Sequence, residues 1–269
     1  MEVPDRYVMV AFAGCIAFAT IWQPIAFGPT NGVAFGQPFS VPFGAAEALA
    51  LVALFLVINR MKDDALLSRV DLLTIGAVGV AFALPSLEAA SIAMATVGVM
   101  LLARGDPRVA SIGQILLALV SYQVLGRLIF DLSAPFVLRL ETFAVTALLS
   151  LFGDFSRSGA DIIAPNGFTI FIEPPCSAFH NITVATLLWL ALIKIERLEF
   201  LRSDWWALAA MIAATVILNT IRIALMAQSE PMLRYWHDGQ GVAIVSIVML
   251  TALLGISFLS RVRPVAVLA

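Results

Sequence analysis

Charge is what this sequence has least of. Only 13% of its 269 residues are Asp, Glu, Lys or Arg, where a soluble domain carries roughly 25%. A water-facing surface cannot be assembled from so few charges, which excludes a soluble globular protein and a disordered chain. Cysteine is scarce as well. Cys15 and Cys176 are the only two, which excludes a disulfide-stapled module. Each lies in or beside a different apolar run, so both are expected as free thiols. Net charge is -2, and no basic surface for nucleic acid is implied. The sequence also lacks an internal repeat of fixed period, the mark of solenoids and arrays.

What the sequence does have is apolar length. Hydrophobic residues make up 61%, and mean hydropathy is +0.98. One membrane crossing takes ~20 residues, so the chain has room for about eight or nine spans and for no sizeable soluble domain. The expected fold is an all-α polytopic membrane protein. It reads as one integral membrane domain over 1–269, with N-terminal helices in 1–108 and the candidate chemistry in 109–263.

Apolar runs fall near 7–27, 43–59, 70–85, 87–103, 109–130, 133–152, 177–194, 205–227 and 237–260. The start of the chain has no basic n-region and no clear cleavage site, so the first run is read as a retained span. Lys and Arg collect on the cytoplasmic side of membrane proteins. The clusters here are Arg60, Lys62 and Arg69; Arg104 and Arg108; Lys194, Arg197 and Arg202; Arg261 and Arg263. They agree, with Arg6 on the same side, if an even number of crossings separates Arg108 from Lys194. The run at 133–152 is interrupted by Arg139 and Glu141. It is expected to lie on the outer side as an amphipathic or re-entrant helix. The count is then eight crossings with both termini cytoplasmic, in a cell (inner) membrane. Residues 154–175 become an outer loop. Within it, Asn166-Gly167 between strand-prone flanks predicts a small β-hairpin with a two-residue turn.

Few residues on this background can carry chemistry. Cys176 follows Pro174-Pro175 and opens an apolar helix. Unpaired amides at a helix start favour a thiolate, although a packed thiol is the plainer reading. Arg222 lies in an apolar run three residues after Asn219, so both fall on one helix face. Snorkelling would explain the arginine alone, but a second buried polar group also needs a partner. His237 opens the last span beside Tyr235 and Trp236, where an interfacial histidine is common. His180 lies one helical turn after Cys176 and rivals His237 as a base. On the expected topology Cys176, Arg222 and His237 come from three spans and share one end. A thiol, a guanidinium and an imidazole at one depth suit acyl transfer.

The order Cys176-Ser177, then Asn219-Thr220-Ile221-Arg222, then His237 to Gly241 resembles the exosortase/archaeosortase family. Gly153, Arg157-Ser158-Gly159 and a hairpin ahead of the cysteine are similar too. The resemblance covers roughly residues 110–260. It implies a membrane cysteine transpeptidase with Cys176 as nucleophile, His237 as acid and base, and Arg222 stabilising the thiolate or oxyanion. Asn219 would orient Arg222, and Gly241 completes the last motif. The implied substrates are exported proteins with a C-terminal sorting motif, an apolar helix and a basic tail. The site would face the extracytoplasmic side, with no metal or organic cofactor. Where the family usually has Cys-Ser-Gly and then a basic or polar residue, this chain has Ala178 and Phe179, and alanine narrows the space for a substrate backbone. A small-solute transporter and a catalytically silent membrane scaffold are the other readings. The first is disfavoured by the missing repeat and by polar groups gathered at one surface.

Overall fold

The computed structural model describes residues 45–60, 76, 79, 87–104, 106–122, 126–173 and 176–261. The expected first span and Cys15 lie outside these residues, as do nearly all of the run at 70–85, Pro174-Pro175 and Arg263. The helices are α1 (Ala45–Asn59), α2 (Leu87–Leu102), α3 (Pro107–Val120), α4 (Gly126–Leu149), α5 (Ala178–Glu196), α6 (Arg202–Met226), α7 (Glu230–His237) and α8 (Gly241–Leu259). Between α4 and α5 lie β1 (Ser156–Ser158), β2 (Asp161–Ile163) and β3 (Thr169–Phe171).

These residues divide into two compact units. The first holds α1, α2, α3 and residues 186–201. Asp106 starts α3: its carboxylate accepts from the amides of Arg108 and Val109, with Pro107 in the first turn. Pro at that position loses no helical hydrogen bond. α2 and α3 meet through glycines. A Cβ on Gly113 would stand 2.5 Å from the Gly98 carbonyl oxygen, and one on Gly98 would stand 2.9 Å from Leu117 Cγ. Small residues let backbones touch where lipid offers no hydrophobic drive to pack. Arg60, just past α1, donates to the carbonyls of Lys194 and Ile195, which the end of α5 leaves without helical partners.

The second unit holds residues 126–185 and 202–261. Its strands form an antiparallel meander in the order β1-β2-β3, one strand more than the expected hairpin. β1 reads Ser-Arg-Ser and is wholly exposed, so no apolar alternation announces it. Gly159-Ala160 joins β1 to β2, with Gly159 at φ 64. The second turn also differs from expectation. The Gly167 amide donates to the Ala164 carbonyl, and the Ala164 amide to the Phe168 carbonyl. The loop is therefore three residues long, with Gly167 at φ 83 and Asn166 at negative φ. Pro165 fixes its own φ near −65° and sets a type I turn closed by the glycine. Asn166 Oδ1 accepts from the Phe168 amide. Ile162 pairs with Ile170 across the strands, and with Ile172 they bury one face. That face packs with Leu138, Val145 and Leu149 of α4 and with Ile223, Ala224 and Met226 of α6.

Four helices among the described residues are long and apolar enough to cross a membrane: Leu128–Leu149, Ala178–Glu196, Arg202–Met226 and Gly241–Leu259. Three shorter apolar helices cover 46–59, 91–102 and 107–120. The expected eight crossings are not reproduced among these residues. The run at 109–130 ends as a helix at Val120, and 133–152 belongs to a helix that starts at Gly126. The segment read as a non-crossing outer helix thus has the length of a span, and the crossing count built on it loses its premise. Large apolar side chains such as Phe136, Trp206, Ile247 and Phe258 are exposed, as expected where lipid replaces water.

Candidate functional site

The site grows from the turn between the meander and α5. Cys176 precedes the helix, which begins at Ala178, and its amide donates to the Glu173 carbonyl at 2.9 Å. Ser177 is buried at the helix start, and its hydroxyl accepts from the Phe179 amide. His180 does not lie one helical turn along a common helix from Cys176, because the cysteine precedes the helix. The His180 side chain is exposed.

Two helices hold this turn. From α6, Asn219 Nδ2 donates to the Cys176 carbonyl at 2.8 Å. From α4, Glu141 Oε1 accepts from the Ser177 hydroxyl at 2.7 Å and from the Ala178 amide at 2.8 Å. Glu141 was legible only as a charge interrupting an apolar run. A carboxylate in such a helix needs a donor, and the donors are the open end of α5. Of the amides expected to stabilise a thiolate, that of Ala178 is engaged by an acid and that of Phe179 by the Ser177 hydroxyl.

Arg222 is buried one turn beyond Asn219. Its Nε donates to the Trp236 carbonyl at 3.1 Å, the only hydrogen bond of this guanidinium among the described residues. Asn219, expected to orient Arg222, spends its amide on the cysteine turn instead. Gly241 explains itself here. A Cβ on it would stand 2.6 Å from Trp236 Cε3 and 2.8 Å from the Tyr235 carbonyl oxygen, so only glycine lets α8 start this close to α7. His237 ends α7, half-buried, with Nδ1 2.7 Å from Asp238 Oδ1. The adjacent His-Asp pair is visible in the sequence, although sequence reasoning gave Asp238 no part.

Cys176 is a free thiol, 6% exposed, in a cluster with Phe130, Leu138 and Ile172 that Phe179 and Trp236 pack against. Burial pushes its pKa up to about 11. The Arg222 guanidinium pulls it down, while Glu173, Asp238 and Glu141 push it up. The sulfur rests as a thiol, contrary to the lowered value expected at a helix start. Three sealed polar atoms of the site residues have no hydrogen-bond partner: Glu141 Oε2, Asn219 Oδ1 and Trp236 Nε1. Such orphans are rare in a finished core. Among the described residues no group of three or more His, Cys, Asp or Glu could hold a metal ion.

One end of the second unit thus gathers a thiol, a guanidinium with free donors, three carboxylates and an amide around one turn. Residues 40–254 match the sequence profile described as Transmembrane exosortase (Exosortase_EpsH), a longer stretch than the motifs at 110–260 cover. No curated protein and no solved structure matches the chain.

Proposed function

This chain belongs to the transmembrane exosortase family, and on that premise we propose that it is a multi-pass membrane cysteine transpeptidase with Cys176 as its nucleophile. The observation that carries the reading is the bond from Asn219 Nδ2 to the Cys176 carbonyl. It joins the polar pair of α6 to the cysteine turn and sets Arg222 one helical turn beyond it.

The chemistry starts from a thiol that rests protonated. When Nδ1 of His237 donates to Asp238, Nε2 is the open base. It takes the S–H proton as sulfur attacks the scissile carbonyl carbon and the S–C bond forms. The carbonyl oxygen gains charge, and the N–H groups of Arg222 meet it. The C–N bond then breaks, His237 returns the proton to the leaving amine, and an acyl-thioester remains. An incoming nucleophile gives its proton to His237 and bonds to the acyl carbon, the S–C bond breaks, and the departing sulfur takes the proton back from His237 as a thiol. His180 stays the rival base.

The side of the membrane follows from α5. Its 19 residues extend about 28 Å at 1.5 Å each, near the ~30 Å of a hydrocarbon core. Lys194, Arg197 and Arg202 gather at one end and Cys176 lies at the other. Positive residues stay inside, so the cysteine faces the extracytoplasmic side of the cell membrane. The substrate is an exported protein whose C-terminal apolar helix lies in the bilayer with its basic tail in the cytoplasm.

The test pairs the chain with such an exported protein and tracks its C-terminus by mass. Cleavage by the parent, its loss in Cys176→Ala and a hydroxamate product when hydroxylamine is added are the expected results. Cleavage that persists in Cys176→Ala overturns the proposal.

A further inference from the structure

Glu141 is the one acid of α4 that turns inward. Asp131 and Arg139 of the same helix are exposed, whereas Glu141 engages the start of α5 through Oε1 and seals Oε2 from solvent. A carboxylate in a helix that spans a membrane is costly unless its oxygens find donors. The next residue, Thr142, donates to the Ala160 carbonyl of the meander at 3.3 Å. This part of α4 therefore anchors the chain on both sides of the cysteine turn, the meander ahead of it and the start of α5 beyond it. Asn219 fixes the turn from α6. None of these bonds involves sulfur, yet together they decide where sulfur sits.

Charge adds a second effect. A helix N-terminus favours a neighbouring thiolate, and a carboxylate on its first amide cancels that influence. The charged groups acting on Cys176 are Arg222 from α6, Glu173 from the loop, Asp238 from the end of α7 and Glu141 from α4. Arg222 alone favours the thiolate.

We infer that Glu141 is a positioning residue for the Cys176 nucleophile, its carboxylate clamping the Cys176–Ala178 turn and bringing its charge to bear on the sulfur. The inference rests on the reading of Cys176 as the nucleophile. Clamp and charge separate by substitution. Glu141→Gln keeps an acceptor for Ser177 and Ala178 and removes the charge. Glu141→Ala removes both, and Ser177→Ala removes the hydroxyl's bond to Glu141, together with the one it accepts from the Phe179 amide, and keeps the charge.

The experiment uses the full chain in detergent with Cys15→Ala. It measures the pH dependence of Cys176 alkylation by iodoacetamide and, in parallel, cleavage of the exported protein. Glu141→Ala should lower kcat by about 100-fold with KM little changed, the cost of an ångström of misplacement. Glu141→Gln should recover most of that rate and alkylate about threefold faster at pH 8, a half-unit fall in the midpoint. A Glu141→Gln variant as slow in cleavage as Glu141→Ala, or one that alkylates no faster than the parent, overturns the inference. If Glu141→Ala does not survive solubilisation, Ser177→Ala takes its place: slower cleavage supports the clamp, and the parent rate overturns it. A dead Cys176→Ala with parent-like Glu141 variants removes this inference alone. A cleaving Cys176→Ala removes the transpeptidase reading itself.

Discussion

The α2–α3 crossing and the Cys176 turn both join helices closely, and they do so by opposite means. At the crossing, side chains are missing: Gly98 and Gly113 bring backbone against backbone, with a carbonyl where a Cβ would go. At the turn, side chains are added: Glu141 and Asn219 reach in with hydrogen bonds, and orphaned polar atoms are left over. In lipid, burying an apolar surface against another helix gains little, so helices associate by close packing or by polar bonds. The first device is complete as it stands. The second carries unsatisfied polar atoms into a sealed place, a cost that chemistry explains and packing does not.

Arg222→Ala should divide the two devices most sharply. Cleavage should fall by about 100–1,000-fold, the usual effect of losing one oxyanion donor. The melting temperature should hold or rise, because a charge leaves a membrane helix. Arg222→Lys should not restore the rate, since a point charge lacks the guanidinium fork. A variant that melts early and cleaves normally once folded would make Arg222 a packing residue and dissolve the contrast.

Two glycine substitutions come next. Gly113→Ala should cost about 1–3 kcal/mol of stability, as overpacking does, and leave the rate of each folded molecule alone. Gly241→Ala presses on Trp236, which carries the carbonyl that holds Arg222. It should lower stability by a similar amount and also slow cleavage, by about tenfold. Melting curves and rates on the same preparations test both. Equal behaviour of the two variants would erase the distinction.

The smallest effect is the response to pH. With the Cys176 thiol pushed up to about 11, the folded state keeps its proton where an unfolded thiol, near 8.5, loses it. The folded state binds more protons in that window. This contribution to stability is therefore full below about 8.5 and is lost as pH rises toward 11. The parent should lose more melting temperature between pH 8 and pH 10.5 than Cys176→Ala does. At neutral pH the sulfur should hold roughly 300-fold less thiolate than a free thiol. An alkylation midpoint near 8.5 would contradict this.

Much of the site could be read from residue order alone. Cysteine and arginine are rare enough in apolar runs that Cys176 and Arg222 stand out, and the Asn219 spacing of three puts both α6 side chains on one buried face. What could not be read depended on partners distant in the chain. Glu141 looks like an interruption until the donors of Ser177 and Ala178 are known. The thiol looks activated until its neighbours' burial and charge are counted. β1 has no apolar residue to betray it, and the Asn166-Gly167 turn departs from a two-residue hairpin because Pro165 decides its geometry. α4 runs on through Pro135, although a proline inside a helix gives up one backbone hydrogen bond.

The hold on Arg222 has an evolutionary side. Its partner at residue 236 is a main-chain carbonyl, which every amino acid supplies. Mutation at 236 can therefore change what packs against the cluster around Cys176 without releasing the arginine. A search for a co-varying partner of Arg222 would miss that anchor. The position of the guanidinium is instead inherited through the path of the backbone, with Gly241 as the letter that records it.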